Sequence, residues 1–397
     1  MTEPDEPGGP RAIGLYVHWP YCARICPYCD FNVVRDRGER DGPAAQARVT
    51  LARAILADLA AQAAQLGPRR LVSVFFGGGT PSLMDPDWAG EILSAARRLF
   101  EPASDLEVTL EANPTDAEAD RFAAFAAAGV NRLSLGVQSL DDAALAFLGR
   151  NHDAAGARRA AGVAAAAFPR LSIDMIYARP GQTPEAWRAE LGEALALGPE
   201  HVSPYQLTIE AGTAFDRAVQ RGRWAPPDAD LAAALYETTQ EVLEGAGYEA
   251  YEVSNHARGT IARSRHNLIY WRGGDYLGVG PGAHGRVTEQ GERWATLTPA
   301  PIAGYVRRVE TAGCGLAERT RLSPREAALE RLLMGLRTVE GVALAELEPL
   351  GPDPAMLDAL VAGGLLARDG GRLIATRHGR AVLDRITLDL AASAGAG

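Results

Sequence analysis

Cysteine is scarce in this chain. Four residues in 397 are too few for the disulfide framework of a small secreted fold, and no secretory leader precedes them. The thiols are therefore expected to be reduced, as in a cytoplasmic protein. Long apolar runs are missing too: the longest, the alanine-rich Ala160 to Phe168, falls well short of the roughly 20 residues that cross a bilayer. No transmembrane segment is expected, and any membrane contact is peripheral. Positive charge is in deficit, with 40 Lys and Arg against 50 Asp and Glu and a formal net charge of -10, which argues against bulk attraction to nucleic acid or anionic lipid. A second C-x2-C pair or Cys/His knuckle, which a structural zinc would need, is also absent.

Three of the four cysteines, Cys22, Cys26 and Cys29, fall within one short stretch, Tyr16-Val17-His18-Trp19-Pro20-Tyr21-Cys22-Ala23-Arg24-Ile25-Cys26-Pro27-Tyr28-Cys29-Asp30-Phe31. Iron-sulfur cubes usually take four thiolates, so three in one loop leave one iron open to another ligand. Cys314 lies far along the chain and is expected to be a lone thiol. The C-x3-C-x2-C spacing resembles the signature of the radical S-adenosylmethionine (SAM) superfamily. That resemblance implies a [4Fe-4S] cluster on Cys22, Cys26 and Cys29, with the fourth iron chelated by the amine and carboxylate of SAM. It also implies an electron donor, whose electron passes through the cluster to cleave SAM to a 5′-deoxyadenosyl radical.

Short β-branched and aromatic runs alternate with helical stretches, and that order predicts an α/β fold with a parallel sheet inside a layer of helices. Six strands are expected, at Ile13 to Val17, Leu71 to Phe76, Leu106 to Leu110, Arg132 to Leu135, Leu171 to Ile176 and Val202 to Leu207. Helices such as Ala44 to Leu66, Asp87 to Leu99, Asp116 to Ala128 and Glu185 to Leu197 lie between them, filled by alanine, the best helix former. In a parallel barrel the chemistry collects at the carboxyl ends of the strands. There the sequence places, strand by strand, the cysteine loop, Gly77-Gly78-Gly79-Thr80-Pro81, Glu111-Ala112-Asn113-Pro114, Gly136-Val137-Gln138-Ser139, Asp174, and Tyr205 with Gln206. Any one of these alone reads as turn chemistry; six at one mouth point to a site. The glycines let backbone amides approach a carboxylate or amine, and a Glu at a strand end suits ribose hydroxyls.

Together these pieces resemble the oxygen-independent coproporphyrinogen III oxidase group of that superfamily, over most of the chain. The resemblance implies a partial (β/α)6 TIM-like barrel and a SAM site lined by Tyr16, Tyr28, Gly78, Gly79, Thr80, Glu111, Gln138, Arg150 and Asp174. One departure is Ala178-Arg179-Pro180-Gly181, where the group usually has Gly-Leu before the Pro-Gly. Another is Phe31: the oxidases continue as C-x3-C-x2-C-x-C, so a cysteine is missing and coproporphyrinogen decarboxylation becomes the alternative rather than the leading activity. Phe31 is expected to pack beside the metal site.

His266-Asn267-Leu268-Ile269-Tyr270-Trp271 resembles instead the H-N-x-x-Y-W marker of heme chaperones in the same group. An imidazole can ligate heme iron, and Tyr and Trp offer flat apolar faces to a porphyrin. On composition alone such a histidine is more often a satisfied structural residue. The resemblance implies heme binding through His266, Tyr270 and Trp271, with His284 as the second candidate ligand. It also implies delivery of heme to heme-requiring acceptor proteins, respiratory and membrane-associated. The motifs assign no catalytic residue.

The expected organisation is a disordered tail at 1–10, the barrel at 11–245, an extension at 246–320, a small second domain at 321–390 and a tail at 391–397. The extension carries the H-N-x-x-Y-W segment and closes the barrel mouth through the glycine-rich Tyr276 to Gly285. In the second domain, Ser323-Pro324-Arg325-Glu326 reads as N-cap, Pro and acidic first turn of a helix to Arg337. Short helices at Ala343 to Glu348 and Pro354 to Ala362 precede a hairpin, Leu365 to Ala375, with an Asp-Gly-Gly turn. That order resembles a winged helix, an α+β unit. No nucleic acid partner is expected, because Arg368, Arg372, Arg377 and Arg380 stand in an acidic chain as a solvated face. The domain is expected to act as a cover or docking surface.

Overall fold

The computed structural model describes residues 9–36, 38–39 and 41–393; most of both expected tails lies outside them. Six parallel strands follow one another in chain order: β1 (Arg11–Trp19), β2 (Arg69–Gly78), β3 (Glu101–Ala112), β4 (Arg132–Gln138), β5 (Arg170–Tyr177) and β6 (His201–Gln206). Helices α1 (Gly42–Ala63), α2 (Pro86–Leu99), α3 (Ala119–Ala128), α4 (Ala154–Ala167), α5 (Pro184–Ala196) and α6 (Ala229–Gly245) belong to the same repeat. Several carry side-chain caps: Asp153, Thr183 and Asp228 accept from backbone amides of the first turns of α4, α5 and α6.

The strand alternation explains both the core and the site. Along β1, Ile13, Leu15, Val17 and Trp19 are buried in one hydrophobic cluster with Leu51, Ile55 and Leu59 of α1. Each such side chain contributes about 1.5–3 kcal/mol on burial, so the outer face of the sheet supplies the stability. The alternate residues, Gly14, Tyr16 and His18, face the lumen. The same parity puts Ser73, Glu107, Thr109, Arg132, Ser134, Ser172, His201 and Ser203 inside, a buried polar set. The lumen is thus largely polar, with the Phe75 ring among these groups.

The sheet does not stop at six strands. Residues 249–321 add six more, giving twelve in a linear, unclosed order. Strand β7 (Asp275–Val279) lies parallel to β1 on its free side, and three antiparallel strands continue outward at His284–Glu289, Glu292–Leu297 and Glu318–Arg321. Beyond β6, Asn255–Ala257 and Glu249–Glu252 form the other edge. The glycine-rich segment is therefore largely strand, and only its turn reaches the rim. There a Cβ on Gly280 would lie 2.3 Å from the His18 carbonyl oxygen, and one on Gly282 2.7 Å from the Asn32 amide.

The C-terminal unit has its own core of Leu332, Leu336, Val342, Leu373 and Ile386 among others. Its first helix (Pro324–Gly335) starts at a capping box made by Ser323 and Glu326. The hairpin strands Leu366–Asp369 and Arg372–Ala375 are joined by Gly370 and Gly371, both at positive φ, as a tight right-twisting hairpin requires. Arg368, Arg372 and Arg377, expected on a solvated face, are engaged within the protein. Arg368 pairs with Asp358, Arg372 donates to the Glu340 and Gly341 carbonyls, and Arg377 reaches Glu237 and Glu244 of α6.

The departure at 178–181 also has a structural account. Ala178 sits at φ 61°, where a glycine costs nothing and alanine about 1 kcal/mol. Its neighbour Arg179 is buried and paired with Glu190, which also accepts from Ser139 Oγ and the Leu140 amide. Arg179 thus came with its own counter-ion. Ala178→Gly is expected to raise stability by up to ~1 kcal/mol, read as a higher urea midpoint, whereas Arg179→Leu alone should lower it by about 3 kcal/mol by stranding Glu190.

Candidate functional site

The cysteine loop joins β1 to α1 and has little secondary structure, so its shape is set by pins. Tyr21–Cys22 pairs with Val34–Arg35 as a two-residue ladder, and the Cys29 amide closes a turn on the Cys26 carbonyl at 3.2 Å. The glycine motif after β2 carries the loop from below. The Gly79 and Thr80 amides donate to the Trp19 and Tyr21 carbonyls, both at 2.8 Å. A Cβ on Gly79 would meet the Tyr21 carbonyl oxygen at 2.7 Å, and one on Gly78 the His18 ring at 2.5 Å. These two glycines therefore serve the cysteine loop as well as the cavity they line.

Side chains complete the frame. Thr80 Oγ1 donates to Cys22 Sγ at 3.5 Å and accepts from Asn113 Nδ2 at 2.9 Å. Arg150 donates from Nη1 to Cys26 Sγ at 3.3 Å, and from Nη2 to Asn113 Oδ1 and, at 3.0 Å, to the Gly136 carbonyl. At the end of β1, His18 Nε2 donates to the Asn32 carbonyl at 2.8 Å, which leaves Nδ1 to accept from the Tyr16 hydroxyl at 3.1 Å. Burial keeps this imidazole below its ordinary pKa, hence neutral.

The three cysteines share one cavity of about 400 Å³ with Tyr28, Gly78, Gly79, Thr80, Glu111, Gln138, Arg150 and Asp174. Asn113, Ser134 and Tyr205 line it too. Tyr16 does not; it lies deeper, under His18. Phe31 lines the same cavity at its rim, 63% exposed. Gln138 adopts φ 66°, an uncommon conformation held at the carboxyl end of β4.

The charges suit a cationic ligand. Glu111 accepts from the Gly78 amide at 3.3 Å, and burial, then the Asp174 charge, pushes it up to about 8. Asp174, held by the Ser134 hydroxyl at 3.1 Å, is pushed up to about 6 by burial. The pair carries roughly one negative charge at neutral pH, and a sulfonium and ammonium beside it would draw both to the ionised form.

The donor set fits a cube. All three thiols are free, and among the described residues no three His, Cys, Asp or Glu converge on a single ion, whereas a cube takes one thiolate per corner. Cys22, Cys26 and Cys29 would hold the cluster, with the strand-end residues holding SAM. A bound cluster would supply single electrons, and SAM a cleavable carbon-sulfur bond. Cys314 is elsewhere, its thiol directed at Asp58 at 3.6 Å.

The H-N-x-x-Y-W segment forms helix α7 (Arg265–Trp271), which plugs the lower end of the lumen. Glu107 accepts from the amides of Arg265 and His266. His266 is buried and stacked on Phe75 with ring centroids 5.0 Å apart, and both its nitrogens are taken: Nδ1 by Ser73 Oγ at 2.8 Å, Nε2 by the Tyr270 hydroxyl. Burial, then Arg132, lowers its pKa to about 3. In this conformation His266 is a satisfied interior residue with no nitrogen free for a metal. Trp271 lies under Arg337, and its carbonyl accepts from Arg331 at 2.8 Å, so the C-terminal unit covers the segment. His284 is exposed.

Sequence reasoning missed His18, Asn32 and Ser134. The period-two spacing of Tyr16 and His18 on β1 was the available signal for the first; Asn32 and Ser134 carry none.

Comparison with known proteins agrees with this geometry. Residues 16–192 match the radical SAM superfamily model, and residues 322–382 the HemN C-terminal domain. The chain is 43% identical to radical S-adenosyl methionine domain-containing protein 1, mitochondrial, from Mus musculus, over 98% of this chain and 90% of that one. It is 37% identical to the heme chaperone HemW of Mycobacterium tuberculosis, over 97% and 95%. The solved structure of Escherichia coli coproporphyrinogen III oxidase (HemN) superposes with a TM-score of 0.79 at 21% identity, covering 96% of this chain and 90% of that one, which shows a shared fold. The chain belongs to the radical SAM superfamily. Within it, it belongs to the family of HemW and radical S-adenosyl methionine domain-containing protein 1.

Stability should report on Glu111. Its folded pKa lies above the ordinary 4.5, so the protonated form favours folding, in full below that value and progressively less as pH rises through about 8. Glu111→Gln removes the ionisation. In cofactor-free protein its Tm is expected to match wild type at pH 5 and to exceed it by ~2 °C or more at pH 9; an offset that does not change with pH would show that Glu111 stays ionised in the cavity.

Proposed function

We propose that this chain is a heme chaperone of the radical SAM type, working in the cytoplasm. It holds a [4Fe-4S] cluster and SAM at the barrel mouth, binds heme, and hands it to heme-requiring acceptor proteins, respiratory and membrane-associated. Near full-length similarity to a protein named heme chaperone HemW carries this reading. Phe31 in place of the oxidases' further cysteine supports it against coproporphyrinogen decarboxylation, because the oxidase pattern is incomplete here.

Heme ligation by His266 requires α7 to leave its present place. Contacts between the C-terminal unit and the rest of the chain would have to open, among them Arg331 to the Trp271 carbonyl, Arg286 to Glu330, Arg272 to Glu340, Arg337 to Glu252, and Arg377 to Glu237 and Glu244. Most are partly exposed ion pairs or single hydrogen bonds worth ~1 kcal/mol or less, whereas Glu252 is buried and loses more when Arg337 leaves it. Heme binding would thus be coupled to lifting of the C-terminal unit. His284, exposed beside the rim, is the imidazole that needs no such movement.

The test is heme titration of anaerobically reconstituted wild type, His266→Ala and His284→Ala, followed by absorption spectra. Wild type is expected to bind heme stoichiometrically, and His266→Ala to lose affinity by tenfold or more (~1.4 kcal/mol). A wild-type spectrum in His266→Ala would remove that residue as ligand, and transfer of the loss to His284→Ala would place heme at the rim. Incubation with SAM, reductant and coproporphyrinogen III is expected to leave the porphyrinogen unchanged; protoporphyrinogen formation would overturn the chaperone reading in favour of the decarboxylase.

A further inference from the structure

We propose that the groove on the outer side of the cysteine loop is the docking face for a small, acidic one-electron carrier protein that reduces the cluster. The inference rests on the cluster assignment and not on heme. Cys26 and Cys29 line both the mouth cavity and this groove of about 700 Å³, whereas Cys22 lines the mouth alone. The loop is therefore a partition. With SAM in the cavity the mouth side is filled, and the outer wall is the side left for a carrier.

The groove is rigid and carries charge of one sign. Its far wall is Phe147, Phe215 and Trp224, packed on one another with ring centroids 4.7 to 5.2 Å apart. The Phe215 amide donates to the Pro27 carbonyl at 2.9 Å, and Gly149, at φ +69°, passes so close beneath the loop that a Cβ would meet Pro27 Cδ at 2.6 Å. Arg24, Arg217 and Arg223 are exposed around it, and its described lining includes no Asp or Glu. Such a basic spot stands out on a chain of net charge -10. An apolar side chain of the same loop lines it as well: Ile25 is 45% exposed. Arginine and aromatic anchors with a charged rim suit a transient, electrostatically steered protein contact.

With a flavoprotein as carrier, one electron would leave its anionic flavin hydroquinone, giving the neutral semiquinone, and a cluster held by Cys22, Cys26 and Cys29 would accept it. No proton moves, and no bond to the protein changes.

The experiment follows cluster reduction by stopped-flow absorbance in reconstituted full-length protein, with an acidic flavoprotein carrier in its hydroquinone form or with dithionite. For wild type the rate with the carrier should fall as salt is raised. Arg217→Glu/Arg223→Glu should slow carrier reduction about tenfold at low ionic strength and leave the dithionite rate unchanged, while Arg368→Glu, on the C-terminal unit, should slow neither. A wild-type carrier rate in the double variant would overturn the docking face, as would equal slowing with both reductants. Loss of binding to anionic-lipid vesicles without a change in carrier rate would also overturn it, giving the face to a membrane. A chain that takes up no iron would sink the cluster assignment itself, and the iron content reports that separately.

Discussion

The site depends on one constraint: three sulfurs on an irregular loop must be held still by groups that the loop does not contain. Arg150 does most of this. Its guanidinium ties Cys26 to Asn113 after β3 and to the Gly136 carbonyl at the end of β4, so strand ends set the loop's position. A buried guanidinium is tolerable only when most of its donors are met; here Nη1 and Nη2 have acceptors, a sulfur among them, while Nε has none. Burial raises the neighbouring Cys22 thiol to about 11, and the Arg150 charge works against the rise at Cys22 and Cys29.

Below the loop the lumen is stacked in levels. His266, Ser73 and Glu107 fill the lower level, Tyr16 and Phe75 the middle, and His18, Glu111 and Asp174 the upper one. Tyr16 joins them, stacking toward His266 with ring centroids 6.3 Å apart and donating to His18, which holds Asn32 just past the last cysteine. The helix with the H-N-x-x-Y-W motif and the metal loop are thus mechanically continuous through two aromatic contacts and two hydrogen bonds. Burial raises Glu111 and Asp174 and lowers His266; Arg132, buried in the same lumen, offsets part of the first two shifts and adds to the third.

Much of this was legible in the sequence, for reasons that also define its limits. Buried parallel strands are β-branched and aromatic runs, so all six expected strands overlap observed ones. The strands at 284–297 were not readable, because Gly285, Arg286, Thr288 and Glu289 give no apolar alternation. Cluster residues sit in one local motif and announce themselves; His18, Asn32 and Ser134 act through contacts made only after folding. His266 shows the same limit: its residue type allows both a satisfied structural histidine and the heme ligand that the resemblance implies, and its partners Ser73 and Tyr270 come together only in the assembled barrel.

Asn32 reaches far along the chain, donating to the carbonyls of Pro281 and Ala300, while Gly280 packs on the carbonyl of His18. During synthesis the cysteines emerge early, yet the frame that fixes them is incomplete until residue 300 has left the ribosome. Iron loading into a finished pocket therefore waits for residues 280–300 to fold onto the loop, and a translation product that stops short of them would expose three unprotected sulfurs to oxidation.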